Sequence, residues 1–216
     1  MLSVLVTSYV NPDLDGLAGA TAYAELLNAK GRRAVAAFFG KPHNEALYVL
    51  DRFDIVQPTE LSSSEEFNEV ILIDCSEVNH LEGNIPLEKV IEIIDHRKVN
   101  DADKFPNATT QIELVGAAAT LVAEKFIQSN IPISLNSAVL LHAAIISSTL
   151  NFKASVTTDR DKNVFTWLKD MTQLGDEFVR ELFSKNLILL VLNLRKPCVA
   201  ILLRFLAERS KSPLPS

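Results

Sequence analysis

Asn11-Pro12-Asp13-Leu14-Asp15-Gly16 decides the reading of this chain, because it places two carboxylates two residues apart directly after a short apolar run. Residues 2–8 predict a buried parallel strand, and the small residues Gly16, Ala18, Gly19 and Ala20 predict the start of a closely packed helix. Asp13 and Asp15 therefore fall at the carboxyl end of a strand, the edge at which open α/β sheets bind ligands. Carboxylate oxygens there suit hard divalent cations such as Mg2+ and Mn2+. The plain alternative is a polar turn whose Asp side chains cap the following helix.

The same arrangement recurs along the chain. Val70-Ile71-Leu72-Ile73 runs into Asp74-Cys75-Ser76-Glu77, and Val90-Ile91-Glu92-Ile93-Ile94 runs into Asp95-His96-Arg97. Parallel strands buried on both faces read as continuous β-branched runs, and their carboxyl ends share one edge of the sheet. Asp13, Asp15, Asp74 and His96 are thus expected to meet in one crevice. Gathered carboxylates repel one another unless a cation neutralises them, which points to a shared divalent metal. Singly, each residue has a plainer role: Asp74 or Asp95 closing a loop, His96 hydrogen-bonded in a core.

Helical and strand signals alternate through the first half: helix 16–30, strand 33–39, helix 44–53, strand 70–73 and strand 89–94. This pattern predicts an α/β fold, a doubly wound and mostly parallel sheet flanked by helices. Gly31 reads as a helix stop, while Pro42 and Asn44 mark the next start. Residues 61–68, rich in Ser and Glu, read as a solvated connection. Residues 116–129 and 137–149 predict internal helices, with His142 a partnered core histidine, and Thr158 or Asp159 caps a later helix covering 164–169. Lys153 and Arg160 are candidate anion contacts, with solvated surface charge as the default.

The order Asn-Pro-Asp-x-Asp, Asp-x-x-Glu, Asp-His-Arg resembles the Asp-His-His (DHH) phosphoesterases. Further segments narrow the resemblance to manganese-dependent family II inorganic pyrophosphatases: Gly40-Lys41-Pro42-His43-Asn44-Glu45, Tyr48 to Phe53, Val115-Gly116 with Thr120, and Thr157-Thr158-Asp159. The resemblance runs from about residue 2 to 183 and implies a two-metal hydrolase. It implies Asp13 as ligand to one metal, Asp15 and His96 to the other, and Asp74 as the bridge. Asp95 and Arg97 are its catalytic candidates, with Arg97 and Lys153 binding the substrate's phosphate. Three positions depart from the pattern: Tyr9 and Ser148 stand where the family carries metal ligands, and Arg97 stands where it has a second histidine. A phenol is a poor ligand near neutral pH, a serine hydroxyl binds metal weakly, and arginine grips oxyanions but transfers no proton.

The expected organisation is a DHH-type catalytic domain over residues 1–185, then an atypical apolar tail over 186–216 in place of the family's second domain. The leucine-rich stretch 187–206 is broken by Asn193, Arg195, Lys196 and Pro197, which argues for a buried hairpin or helix pair and against a membrane span. An altered coding end and a native terminus both stay open for this tail. A net charge of -6 with no basic stripe argues against a nucleic-acid duplex as partner. Cys75 and Cys198 are too few for a disulfide framework, and a strand at the very start leaves no room for a signal peptide, so a cytoplasmic location is expected. Whether the chain forms a homo-oligomer stays open. Two functions follow from these readings. One is a Mn2+- or Mg2+-dependent hydrolase of pyrophosphate or another small phosphate ester or anhydride. The other is a catalytically impaired homologue serving as a phosphate- or nucleotide-binding or interaction module.

Overall fold

Alternating apolar side chains make the first strand, β1 (Val4–Thr7), a two-faced wall: Val4 and Val6 join one core, Leu5 the other. The computed structural model of the protein describes residues 3–193, with side chains described up to residue 184. Beside β1 lie β2 (Ala34–Phe39), β3 (Thr59–Leu61), β4 (Val70–Ile73), β5 (Val90–Asp95) and β6 (Thr109–Ile112), in the order β3-β2-β1-β4-β5-β6. Every neighbouring pair is parallel. The chain leaves β1 toward β2 on one side and returns to β4 on the other, so the crevice between the ends of β1 and β4 is the topological switch point. This is the α/β, doubly wound sheet that the alternation predicts.

The larger core lies on the face covered by α1 (Leu14–Ala29), α2 (Asn44–Arg52), α3 (Ala118–Ser129), α4 (Leu135–Ser148), α5 (Asp159–Thr172) and α6 (Asp176–Asn193). The opposite face is covered more thinly, by single-turn 3-10 segments and the side chains of Phe67, Leu81, Ile85 and Phe105. Small residues let α1 approach the sheet closely. A Cβ on Gly19 would stand 2.6 Å from Cγ2 of Ile73 in β4, and one on Gly16 would collide with Ser8.

Two edge strands, β3 and β6, were not expected from the sequence. Their residues are mostly half-exposed or exposed Thr, Glu and Gln, without the apolar runs of the central strands. β3 begins inside the stretch preceding the expected connection 61–68 and claims Leu61 from it. Helix α1 starts at Leu14, two residues before the predicted start, because Asp13 caps it through a 3.0 Å bond from the Gly16 amide. The expected boundary at residue 186 falls within α6, and the rest of the tail lies outside the described residues. Among the described residues, no helix is long and apolar enough to cross a membrane.

Candidate metal centre

Three sheet ends deliver the central side chains. Asp15 comes from the first turn of α1 after β1, Asp74 directly follows β4, and His96 directly follows β5. One ligand atom from each lies within 4.8 Å of the others, as the sequence predicts for these three. Asp74 adopts a left-handed backbone, φ 57°, an uncommon conformation for a residue with a side chain. Its amide still donates to the Ile94 carbonyl at 2.8 Å, so the sheet pairing continues one residue past β4 while the chain turns.

Each member is held from outside the cluster. Asp15 is buried, and its two oxygens accept the amides of Ala118 and Ala119 at 2.8 Å each. It thereby caps α3 from another helix, where Ala117 has no side chain to do so. His96 is oriented by a 2.9 Å contact from Nδ1 to the Val115 carbonyl, which makes Nδ1 the donor and leaves Nε2 facing Asp74 Oδ1 at 3.3 Å and Asp15 Oδ2 at 3.5 Å. Oδ1 of Asp74 is buried without a conventional hydrogen-bond partner. Two carboxylates and an imidazole, one buried oxygen still open, form a donor set suited to a hard or borderline divalent cation such as Mn2+.

The electrostatics are those of buried carboxyls facing a histidine and, at Asp74, an arginine. Burial pushes the Asp74 carboxyl up to about 8, against the lowering effect of His96. Burial likewise raises Asp15 to about 6, although His96 and the two helix amides oppose it. Burial alone would lower His96, but the 3.3 Å pairing with Asp74 and the charges of Asp15 and Asp74 outweigh it and lift the imidazole to about 10. The upward shifts of the two carboxyls are the cost of burying them together, a cost that a bound cation would relieve.

The remaining predicted residues are distributed around this centre. Asp13 contributes no oxygen to the three-residue group; one of its oxygens caps α1, and its amide donates to the Tyr9 hydroxyl at 3.1 Å. Burial, followed by the charges of Asp13 and Asp74, raises the Tyr9 phenol far above its ordinary value, so it stays neutral. Arg97 reaches Asp74 Oδ2 with Nη2 at 3.4 Å and lies 5.3 Å over the Tyr9 ring. Its Nη1 is buried without a partner, and the residue lines a hollow of about 280 Å³ with Tyr9, Val10, Asn79, His80 and Glu82. Asp95 is fully buried and accepts from the Ser76 hydroxyl and, at 2.7 Å, from the His96 amide. Both bonds brace the loops that carry Asp74 and His96.

Lys153 lines a separate hollow, against Asp176 and Arg180 of α6, and is not brought together with Arg97. Arg160 is committed to Glu124 at 2.8 Å and to Glu113, not to an anion site. Ser148 ends α4, half-buried, beside Ser147, whose hydroxyl donates to Glu45 at 2.7 Å. Cys75 is buried and its thiol is pushed up to about 12, chiefly by burial, which makes it unreactive. His142 is a core histidine with Nδ1 2.6 Å from the Thr172 hydroxyl, as expected. Sequence reasoning missed Asp161, whose buried carboxylate accepts the Gly116 amide, the Thr120 hydroxyl at 2.6 Å and the Thr158 amide and hydroxyl at 2.7 Å. The Thr158-x-x-Asp161 spacing signals a capping box, but not the long-range bonds to the turn beside Val115.

Several known proteins are similar to this chain. The profile described as DHH family, N-terminal domain, matches residues 3–145. The manganese-dependent inorganic pyrophosphatase of Methanothrix thermoacetophila is 36% identical over 161 residues, covering 74% of this chain and 51% of that protein. That of Bacillus subtilis is 33% identical over 162 residues, covering 74% and 52%. A Methanococcus jannaschii protein assigned as a family II inorganic pyrophosphatase superposes with a TM-score of 0.71 at 31% identity, covering 84% of this chain and 61% of its own. An exopolyphosphatase-related protein of Bacteroides fragilis shares the fold, with a TM-score of 0.63 at 12% identity. The chain spans about half the length of the curated relatives it matches.

Proposed function

The chain belongs to the DHH family, and on that premise we propose that it is a metal-dependent phosphohydrolase of the cytoplasm, cleaving pyrophosphate or another small phosphate ester or anhydride. One observation carries the reading: Asp74 Oδ1, buried and without a conventional hydrogen bond, meets His96 Nε2 at 3.3 Å and converges with Asp15 at the switch point of the sheet. The manganese dependence named for the relatives supports Mn2+ as the metal, with Mg2+ compatible with the carboxylates.

Asp15, Asp74 and His96 would hold the cation. When bound, it would supply Lewis-acid stabilisation of phosphate oxygens and a more acidic water. The protein's own residues do the positioning. The Val115 carbonyl fixes His96 with Nε2 toward the cluster, and the amides of Ala118 and Ala119 fix Asp15. Asp95 holds the loops after β4 and β5 together through Ser76 and the His96 amide, which makes it a positioning residue. Arg97, anchored on Asp74 and Tyr9, presents Nη1 as a donor for a phosphate oxygen. The phosphate contact rests on Arg97, and Lys153 takes no part in it.

A second reading has one specific support: the neutral Tyr9 phenol sits beside Asp13 where the family pattern has a ligand. On that reading the crevice binds phosphates without turning them over. A phosphate-release screen over pyrophosphate, tripolyphosphate and nucleotides, with Mn2+ or Mg2+, separates the two. The hydrolase reading expects metal-dependent release that falls about a hundredfold or more in Asp74→Asn. Pyrophosphate binding by calorimetry with no release from any compound favours the second reading.

A further inference from the structure

We infer that this chain holds one divalent cation, not two, and that the Arg97 guanidinium occupies the second cation's place. The inference rests on the metal-dependent reading above and concerns how its site is built. The two oxygens of Asp74 are divided between partners: Oδ1 faces His96 and Asp15, while Oδ2 receives Nη2 of Arg97 at 3.4 Å. On the first side three ligand atoms converge. On the second side a permanent positive charge is already in place.

Among the described residues, no group of three ligand side chains assembles on that second side. Asp13 spends Oδ1 on the Gly16 amide and stays outside the three-residue group. Tyr9 presents a neutral hydroxyl that accepts the Asp13 amide, and its ring lies under the guanidinium, 5.3 Å from Cζ. Stacking on the ring and pairing with Asp74 hold Arg97 at two points, so it cannot swing aside without losing both. A second divalent ion bridging through Oδ2 would meet that fixed charge at close range.

The substitution has a function. A bridging metal gives a phosphate one bond direction and charge, whereas a guanidinium gives a planar set of N–H donors. Nη1 is buried and unpartnered, and Arg97 lines the hollow with Tyr9, Asn79 and His80. The ligand class for that hollow is a phosphate oxyanion gripped by Arg97 beside a single metal.

The test is a titration of the metal-free full-length chain with MnCl2, read by calorimetry, by elemental analysis and by electron paramagnetic resonance. One Mn per chain with the spectrum of an isolated ion is expected. Asp13→Asn should keep one Mn with affinity changed by less than about threefold, because Asn caps a helix as well as Asp. The double variant Tyr9→His with Arg97→His, shown to be folded by circular dichroism, should take up two and show exchange coupling. Two Mn in the wild type, loss of binding in Asp13→Asn, or a folded double variant still holding one would each overturn the inference. No Mn bound by the wild type would instead overturn the metal-dependent reading beneath it.

Discussion

Nε2 of His96 lies 3.3 Å from Oδ1 of Asp74, although the two residues follow different strands, β5 and β4. Parallel pairing of those strands, continued by the Asp74 amide on the Ile94 carbonyl, sets the spacing. Each side chain should therefore matter to metal uptake out of proportion to its packing. Asp74→Asn and His96→Ala should each weaken Mn2+ binding by about tenfold to a hundredfold, some 1.4–3 kcal/mol, measured by calorimetry. Equal affinities for wild type and both variants would remove these residues from the site.

Asp161 ties the turn at Gly116 to the start of α5 through four donors: the amides of Gly116 and Thr158 and the hydroxyls of Thr120 and Thr158. Asp161→Ala would leave buried donors unsatisfied and remove half of a capping box. A loss of about 3 kcal/mol or more is expected in urea unfolding. A loss under about 1 kcal/mol would show that water replaces the carboxylate at no great cost.

Gly19 of α1 packs tightly on β4, where an added Cβ would stand 2.6 Å from Cγ2 of Ile73. Gly19→Ala gains up to about 1 kcal/mol of helix propensity but presses a methyl onto Ile73, so a net loss of about 1–2 kcal/mol is expected. Gly175→Ala, with nothing within 4 Å of the new Cβ, should stay within about 0.5 kcal/mol of wild type. Equal stabilities for the two variants would contradict the close packing of α1.

His142 supplies a pH test away from the metal centre. Burial, aided by the Lys169 charge, lowers its pKa to about 4; its Nδ1 meets Thr172 and the Phe165 ring packs edge-on at 4.5 Å. The unfolded chain, with an ordinary value of 6.5, binds the proton more readily. The stabilisation is therefore complete above pH 6.5 and lost as pH falls toward 4. Relative to His142→Leu, wild type should lose about 2 kcal/mol between pH 7.5 and 5.0 in urea midpoints. A parallel pH dependence for the two would show that His142 does not titrate this way.

The central strands and the meeting of Asp15, Asp74 and His96 were legible in the sequence for one reason. Val70 to Ile73 is a continuous apolar run and Val90 to Ile94 is one broken only by Glu92, both end in acids, and a parallel sheet forces such ends to one edge. The edge strands β3 and β6 lack that signal because they need to be apolar on neither face. Asp13 was grouped with the others from its place at the end of β1 and from the family resemblance; that one of its oxygens also caps α1 is set by local backbone geometry. The Asp161 bonds span 45 residues to Gly116, and no local pattern encodes such a partner.

The account depends most on Asp15, Asp74 and His96 being a metal centre, and anomalous diffraction tests that directly. Crystals of the full-length chain grown with MnCl2 should be measured on both sides of the manganese absorption edge. A peak within bonding distance of a carboxylate oxygen of Asp15, a carboxylate oxygen of Asp74 and Nε2 of His96 is the predicted result. Manganese bound elsewhere on the chain, with that crevice empty at saturating metal, would contradict it.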